Sequence, residues 1–195
     1  MTQITTKASR RAVVSALGLT VLLAGCSSPD PVLYTIAPVD GAVRVVAPKV
    51  IVLERVAVAR YLDRSGIVRS PETYRLDVQS NDWWGEPLGA MLLRVLRQEL
   101  AQRLPQSSVL SESGAVSVTA DATVDVDVQR LDTDPAGNVI LQAQASVSLK
   151  GVRAPVLRSF RFSVPSAPGT PAEVAAISAA VGQLADGLAS MLTGR

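Results

Sequence analysis

The spacing of apolar and polar positions changes period several times along the chain. Its longest helical stretch is Asn81–Leu104, NDWWGEPLGAMLLRVLRQELAQRL, where Leu88, Leu92, Leu96, Leu100 and Leu104 recur every fourth residue with Met91 and Val95 beside them. That spacing makes one broad apolar stripe, which another element must cover. Pro87 has no N–H to donate and fits only a first turn, so the pattern predicts a helix opening at Trp83–Glu86, with Asp82 or a neighbour as cap, and stopped by Pro105. A second helix is predicted after Thr170-Pro171-Ala172-Glu173, a capping box with Pro at the first helical position. Its apolar residues are Val174, Ile177, Val181, Leu184, Leu188 and Met191.

Elsewhere the period is two. Val32–Ile36 and Val50–Ala59 read as strands, separated by a Pro- and Gly-containing loop, Ala37–Pro48. Tyr61–Gly66 reads as a turn, leading to Ile67–Arg69 and Thr73–Val78 as a hairpin. Beyond the long helix, Ser107–Ser113 is short and polar. Val116–Arg130, Val139–Lys150 and Val156–Val164 then alternate apolar with polar residues, the first two joined by the turn Asp132–Asn138. These are strands with one buried and one wet face. The order β-β-β-α-β-β-β-α predicts an α+β two-layer sandwich: a mostly antiparallel sheet with both helices on one face, the other face open to a partner.

The N-terminus follows a different logic. Met1–Arg11 is polar and basic, and Ala12–Leu23 is an apolar run too short for a bilayer-spanning helix, which needs about 20 residues. It ends in Leu23-Ala24-Gly25-Cys26-Ser27, which resembles a bacterial lipoprotein signal: small residues admit the peptidase, and the Cys thiol accepts diacylglycerol. The competing reading is an ordinary signal peptide, or a buried helix, with an incidental Cys. The expectation is a cleaved signal over residues 1–25, a lipidated Cys26 with a short tether over 26–31, and a periplasmic domain over 32–195. Several acyl chains on one Cys make an effectively permanent anchor. In such lipoproteins Ser rather than Asp after the Cys favours the outer membrane. No second apolar segment of spanning length is expected.

Composition narrows the function. With 48% apolar and 18% charged residues the chain is globular rather than disordered. Its net charge of +2 comes from the N-terminal segment: without Lys7, Arg10 and Arg11 the remainder carries 16 basic and 17 acidic residues. That removes the electrostatic footprint of a nucleic-acid-binding protein. There is no His, and Cys26 is the only Cys, which leaves no His-based hydrolysis or zinc chemistry and no disulfide. No Gly-rich phosphate loop of standard spacing occurs. Asp121, Asp125 and Asp127 suggest either a Ca²⁺ site or the solvent face of a strand, and the lack of an acidic loop favours the latter. Glu99 lies within the apolar stripe, either as a buried functional carboxylate or paired with Arg103 one turn on. No enzyme, cofactor or metal is expected.

Two stretches remain as candidate contacts. Trp83 and Trp84 either lock the helix onto the sheet or present an aromatic anchor to a partner or a lipid interface. Tyr61, Leu62, Asp63 and Arg64 are either a plain turn or a second part of a partner surface.

These same residues carry a family resemblance. Tyr34-Thr35-Ile36, Val50-Ile51-Val52, Val56 through Tyr61-Leu62-Asp63-Arg64, Ile67-Val68-Arg69 and Trp84-Gly85-Glu86-Pro87-Leu88 resemble the ABC-type transport auxiliary lipoprotein family, including its PqiC-like branch. Two departures are Arg60, where Pro is common before the Tyr, and Gly85, where a residue such as Ala is usual. The resemblance implies a non-catalytic subunit of an MCE-type lipid transport system, anchored in the outer membrane and docking an MCE-domain periplasmic conduit, with ATP hydrolysed elsewhere. Self-association into a homo-oligomer stays open. The alternatives are an outer-membrane assembly or structural lipoprotein without a transport role, and a carrier enclosing a lipid.

Overall fold

The structure is a computed structural model that describes residues 30–45, 48–112 and 118–194. The signal segment, Cys26 and Ser27 therefore lie outside the described residues. All elements fall in the unit Pro31–Arg195.

Eight strands and two helices follow one another as β1 (Val32–Tyr34), β2 (Val50–Val58), β3 (Gly66–Glu72), β4 (Arg75–Trp84), α1 (Leu88–Arg103), β5 (Ser108–Ser111), β6 (Ala122–Thr133), β7 (Asn138–Leu149), β8 (Val156–Pro165) and α2 (Thr170–Thr193). They form a five-stranded sheet in the order β5-β2-β6-β7-β8 and a three-stranded one in the order β1-β4-β3. The fold is the expected α+β sandwich, but with two mixed sheets in place of one mostly antiparallel sheet. The β3–β4, β6–β7 and β7–β8 pairs are antiparallel, as short connections require. The β1–β4, β2–β5 and β2–β6 pairs are parallel, made by segments that return after long crossovers.

Both helices lie on one face of the large sheet. α1 packs on β2 and β5, and α2 on β6, β7 and β8. Every residue of the two predicted stripes is buried, Leu88 through Leu104 on α1 and Val174 through Met191 on α2. They meet Ile51, Leu53, Val124, Val126, Val128, Leu141 and Val147 from the sheet in one hydrophobic core. The opposite face stays polar: Asp125 and Asp127 sit across from Ser146 and Gln144. By length and composition α2 would suit a membrane span, contrary to expectation, yet most of it is buried in this core.

Three local expectations are corrected. Trp83 and Trp84 end β4 instead of opening the helix, and α1 begins only after Pro87. The strand pairing of Asp82–Trp84 with β1 claims the backbone that a first helical turn would need. Ser107–Ser113 contains β5, a strand too short to show a period, which is held by its parallel register with β2. The capping box does not form: α2 is entered through Gly169 at φ 100°, a conformation open to Gly and strained for other residues. Thr170 and Glu173 are buried against the small sheet instead. Arg69 of β3 donates to Glu173 Oε2 at 2.6 Å and to Thr170 Oγ1 at 2.9 Å, and Thr170 donates to Asp82.

Residues 37–44 of the predicted loop form a strap running between the helices. Ala37 N–H donates to Ser178 of α2, Val39 N–H to Glu99 of α1, and Gly41 N–H to Gln102 of α1. An extended segment without strand neighbours thus has its amides paired by side chains. A Cβ on Gly41 would overlap the Arg103 guanidinium at 2.4 Å, so the strap passes only because that residue is Gly.

Candidate partner-binding site

The Tyr61–Gly66 turn is wound tightly. Leu62 N–H donates to Ala59 O and Arg64 N–H to Leu62 O, both at 2.9 Å. Leu62 is driven into the core, and Tyr61 is half-buried with its hydroxyl donating to Asp132 Oδ2 at 2.7 Å. Asp132 is buried as well and takes Arg130 Nε at 2.9 Å. Burial, then the hydrogen bond to Asp132 and its charge, push the Tyr61 phenol far up, so it remains a neutral donor. With Tyr61 and Leu62 used structurally, Asp63, Arg64 and Ser65 are left exposed, the first two of them charged.

The turn meets the Trp84–Pro87 corner. Trp84 N–H donates to Ser65 O at 2.7 Å, and Gly85 N–H to Tyr34 O at 2.8 Å, so β1, the turn and the corner are stitched together. Glu86 pairs with Arg94 one and a half turns into α1, and Arg94 Nη2 reaches Thr35 Oγ1 at 3.2 Å. Between them opens a cleft of about 340 Å³ lined by Asp63, Arg64, Ser65, Trp84, Gly85, Glu86 and Pro87. Its lining carries both signs of charge beside an indole and a proline, a surface suited to a protein contact.

The structure thus joins Asp63 and Arg64 with Trp84 and separates them from Trp83. Successive strand residues point to opposite faces. Trp84 is 7% exposed and Trp83 38%, with its indole donating to Ser80 O at 2.9 Å. Arg94 escaped the sequence reading because Glu86 precedes the helix, where helical spacing rules do not apply.

The remaining acidic candidates have structural partners. Asp121 Oδ2 accepts Val50 N–H at 3.1 Å, and Asp125 faces Arg55 at 4.0 Å on the open sheet face. Among the described residues no group of three or more His, Cys, Asp or Glu is placed to hold a metal. Glu99 does not pair with Arg103 along an edge. Both are buried; Glu99 Oε1 accepts Val39 N–H at 2.8 Å while Oε2 has no partner among the described residues, and Arg103 turns away to Asp186 of α2. Burial raises the Glu99 carboxyl to about 7, against the pull of the Val39 amide and Arg103.

The model of the family described as ABC-type transport auxiliary lipoprotein component matches residues 34–189. Two crystal structures share the fold. One, titled only as an uncharacterized protein, aligns with TM-score 0.70 and 20% identity over 83% of this chain and 97% of its own. The other, a Xanthomonas campestris protein of the DUF330 family model, aligns with TM-score 0.69 and 20% identity over 84% of this chain and 96% of its own. A search of curated protein sequences finds no match.

Proposed function

The chain belongs to the ABC-type transport auxiliary lipoprotein family, and from that premise we propose that it is the non-catalytic, outer-membrane-anchored subunit of an MCE-type lipid transport system. The family is one of membrane-anchored auxiliary components of ABC-type transport. In our reading residues 1–25 are removed, Cys26 carries the lipid, and residues 32–195 form the periplasmic domain that docks an MCE-domain protein. The observation that carries the docking reading is the meeting of the Tyr61–Gly66 turn with the Trp84–Pro87 corner. The two stretches that bear the family motif, far apart in the chain, enclose one open cleft with Asp63 and Arg64 on its rim. Buried motif residues are explained by packing. Among the described residues the exposed charges Asp63 and Arg64 have no ion-pair partner, and they support a contact with another protein.

Crosslinking in intact cells, followed by recovery through a C-terminal tag and protein identification, tests this. An MCE-domain protein should be recovered, and its yield should fall several-fold when Asp63→Lys and Arg64→Glu are combined. Recovery only of outer-membrane barrels or peptidoglycan-associated proteins would replace docking by an assembly role.

A further inference from the structure

Among the described residues the small sheet presents an outer surface with exposed apolar side chains. β1 runs beside the end of β4 with Leu33 in register with Trp83, and Leu33 is 63% exposed. On the other side of Trp83 its partner is Gly66, which brings no side chain. Val78 lies across that glycine, where an added Cβ would come within 2.7 Å of its Cγ1, and Val78 is exposed too. Leu33 and Trp83 therefore lie on one face, and a register shift between Gly66 and Val68 sets exposed Val78 beside Gly66 next to them. The neighbouring carboxylate is directed away from this surface, because Asp82 accepts from Thr170 on the side facing α2.

Trp83 is prepared for an apolar medium in a specific way. Its one donor, the indole N–H, is already spent on Ser80 O. The ring can leave water without stranding a polar group, which otherwise costs a buried donor its desolvation energy.

The position of the surface in the chain says what it meets. Leu33 is the second residue of β1 and the seventh after Cys26. At about 3.4 Å per extended residue, an acyl group on Cys26 keeps Leu33 within roughly 24 Å of the bilayer. We infer that the Leu33–Trp83–Val78 surface lies against the lipid interface of the membrane that holds the anchor, a second apolar contact that fixes the orientation of the domain. Indole and aliphatic side chains are the groups that partition to this layer. The inference rests on lipidation of Cys26, and it assigns Trp83 to lipid and the Asp63–Arg64 cleft to protein.

The full lipidated chain, inserted into phosphatidylethanolamine–phosphatidylglycerol vesicles with brominated acyl chains, tests it through contact quenching of indole fluorescence. Emission should fall by up to half relative to unbrominated vesicles, since one of the two tryptophans is in reach. Trp83→Phe should abolish the loss, and adding Leu33→Trp to that variant should restore it; the emission of buried Trp84 reports that each variant is folded. A chain that floats with the vesicles but is not quenched would overturn the membrane contact and leave a protein, or a second copy, as the occupant. A Leu33→Trp chain that fails to regain quenching would do the same. A chain that does not float would overturn the anchor itself, and this inference with it.

Discussion

Arg103 of α1 donates from Nε to Asp186 Oδ1 of α2 at 2.6 Å, with Arg103 only 1% exposed. The same guanidinium donates to Val39 O in the strap and to Gly182 O in α2, both at 3.0 Å. One side chain therefore joins three segments at a single point, and its planar fork supplies the donors in the directions required.

Replacing Arg103 by Leu should lower stability by about 3 kcal/mol, because the carbonyls of Val39 and Gly182 lose their partner inside the core. Arg103→Lys should recover only part of this, since an ammonium cannot reach all three acceptors in one plane. Urea unfolding measures both, and an unchanged midpoint in the Leu variant would show the pair to be dispensable.

Stability should fall as pH rises through the range set by Glu99. Its carboxyl titrates at about 7 in the folded chain against 4.5 for the ordinary group. Between those values the native state holds the proton more tightly than the unfolded one, so the stabilisation present below about 4.5 is lost on approach to 7. The full effect amounts to about 3 kcal/mol. Glu99→Gln keeps an acceptor for Val39 N–H and should be the more stable protein at mildly alkaline pH. A smaller slope of the same sign should persist in it, because burial also raises Glu173. Parallel pH profiles for the two proteins would refute the assignment.

Tyr61→Phe should cost about 1 kcal/mol and leave partner capture intact. Asp132 keeps Arg130 when the hydroxyl is gone, so no carboxylate is stranded. If capture in cells falls while thermal stability holds, Tyr61 belongs to the contact surface after all.

Arg69→Met should loosen the small sheet from the rest of the domain. It leaves Glu173 buried with only Thr133 as donor, at 3.4 Å, and should cost about 2–3 kcal/mol. Faster amide exchange confined to β3 and β4 would identify the small sheet as the part released; uniform exchange throughout the domain would show that Arg69 does not fasten the small sheet to α2.

Much of this molecule was legible locally. The leucines of α1 and the apolar positions of α2 announced their buried faces, and β6 to β8 announced theirs, because a period of 3.6 or 2 is a property of the chain alone. Antiparallel hairpins were readable for the same reason, their partners being adjacent. What the tertiary structure decided was every pairing between distant segments. Trp83 and Trp84 became strand residues because β1 pairs there, and Pro87 then had to open the helix. β5 exists because β2 offers an edge. Arg103 chose Asp186 and two carbonyls over Glu99, one turn away, because α2 and the strap stand on its side of the helix. Glu99 was left to Val39 and to a carboxyl pushed up toward neutrality. Local periodicity records which face is buried. It carries no information about what lies on the other side of that face, and in this fold the partners of the charged core residues are brought there by crossovers and by the strap.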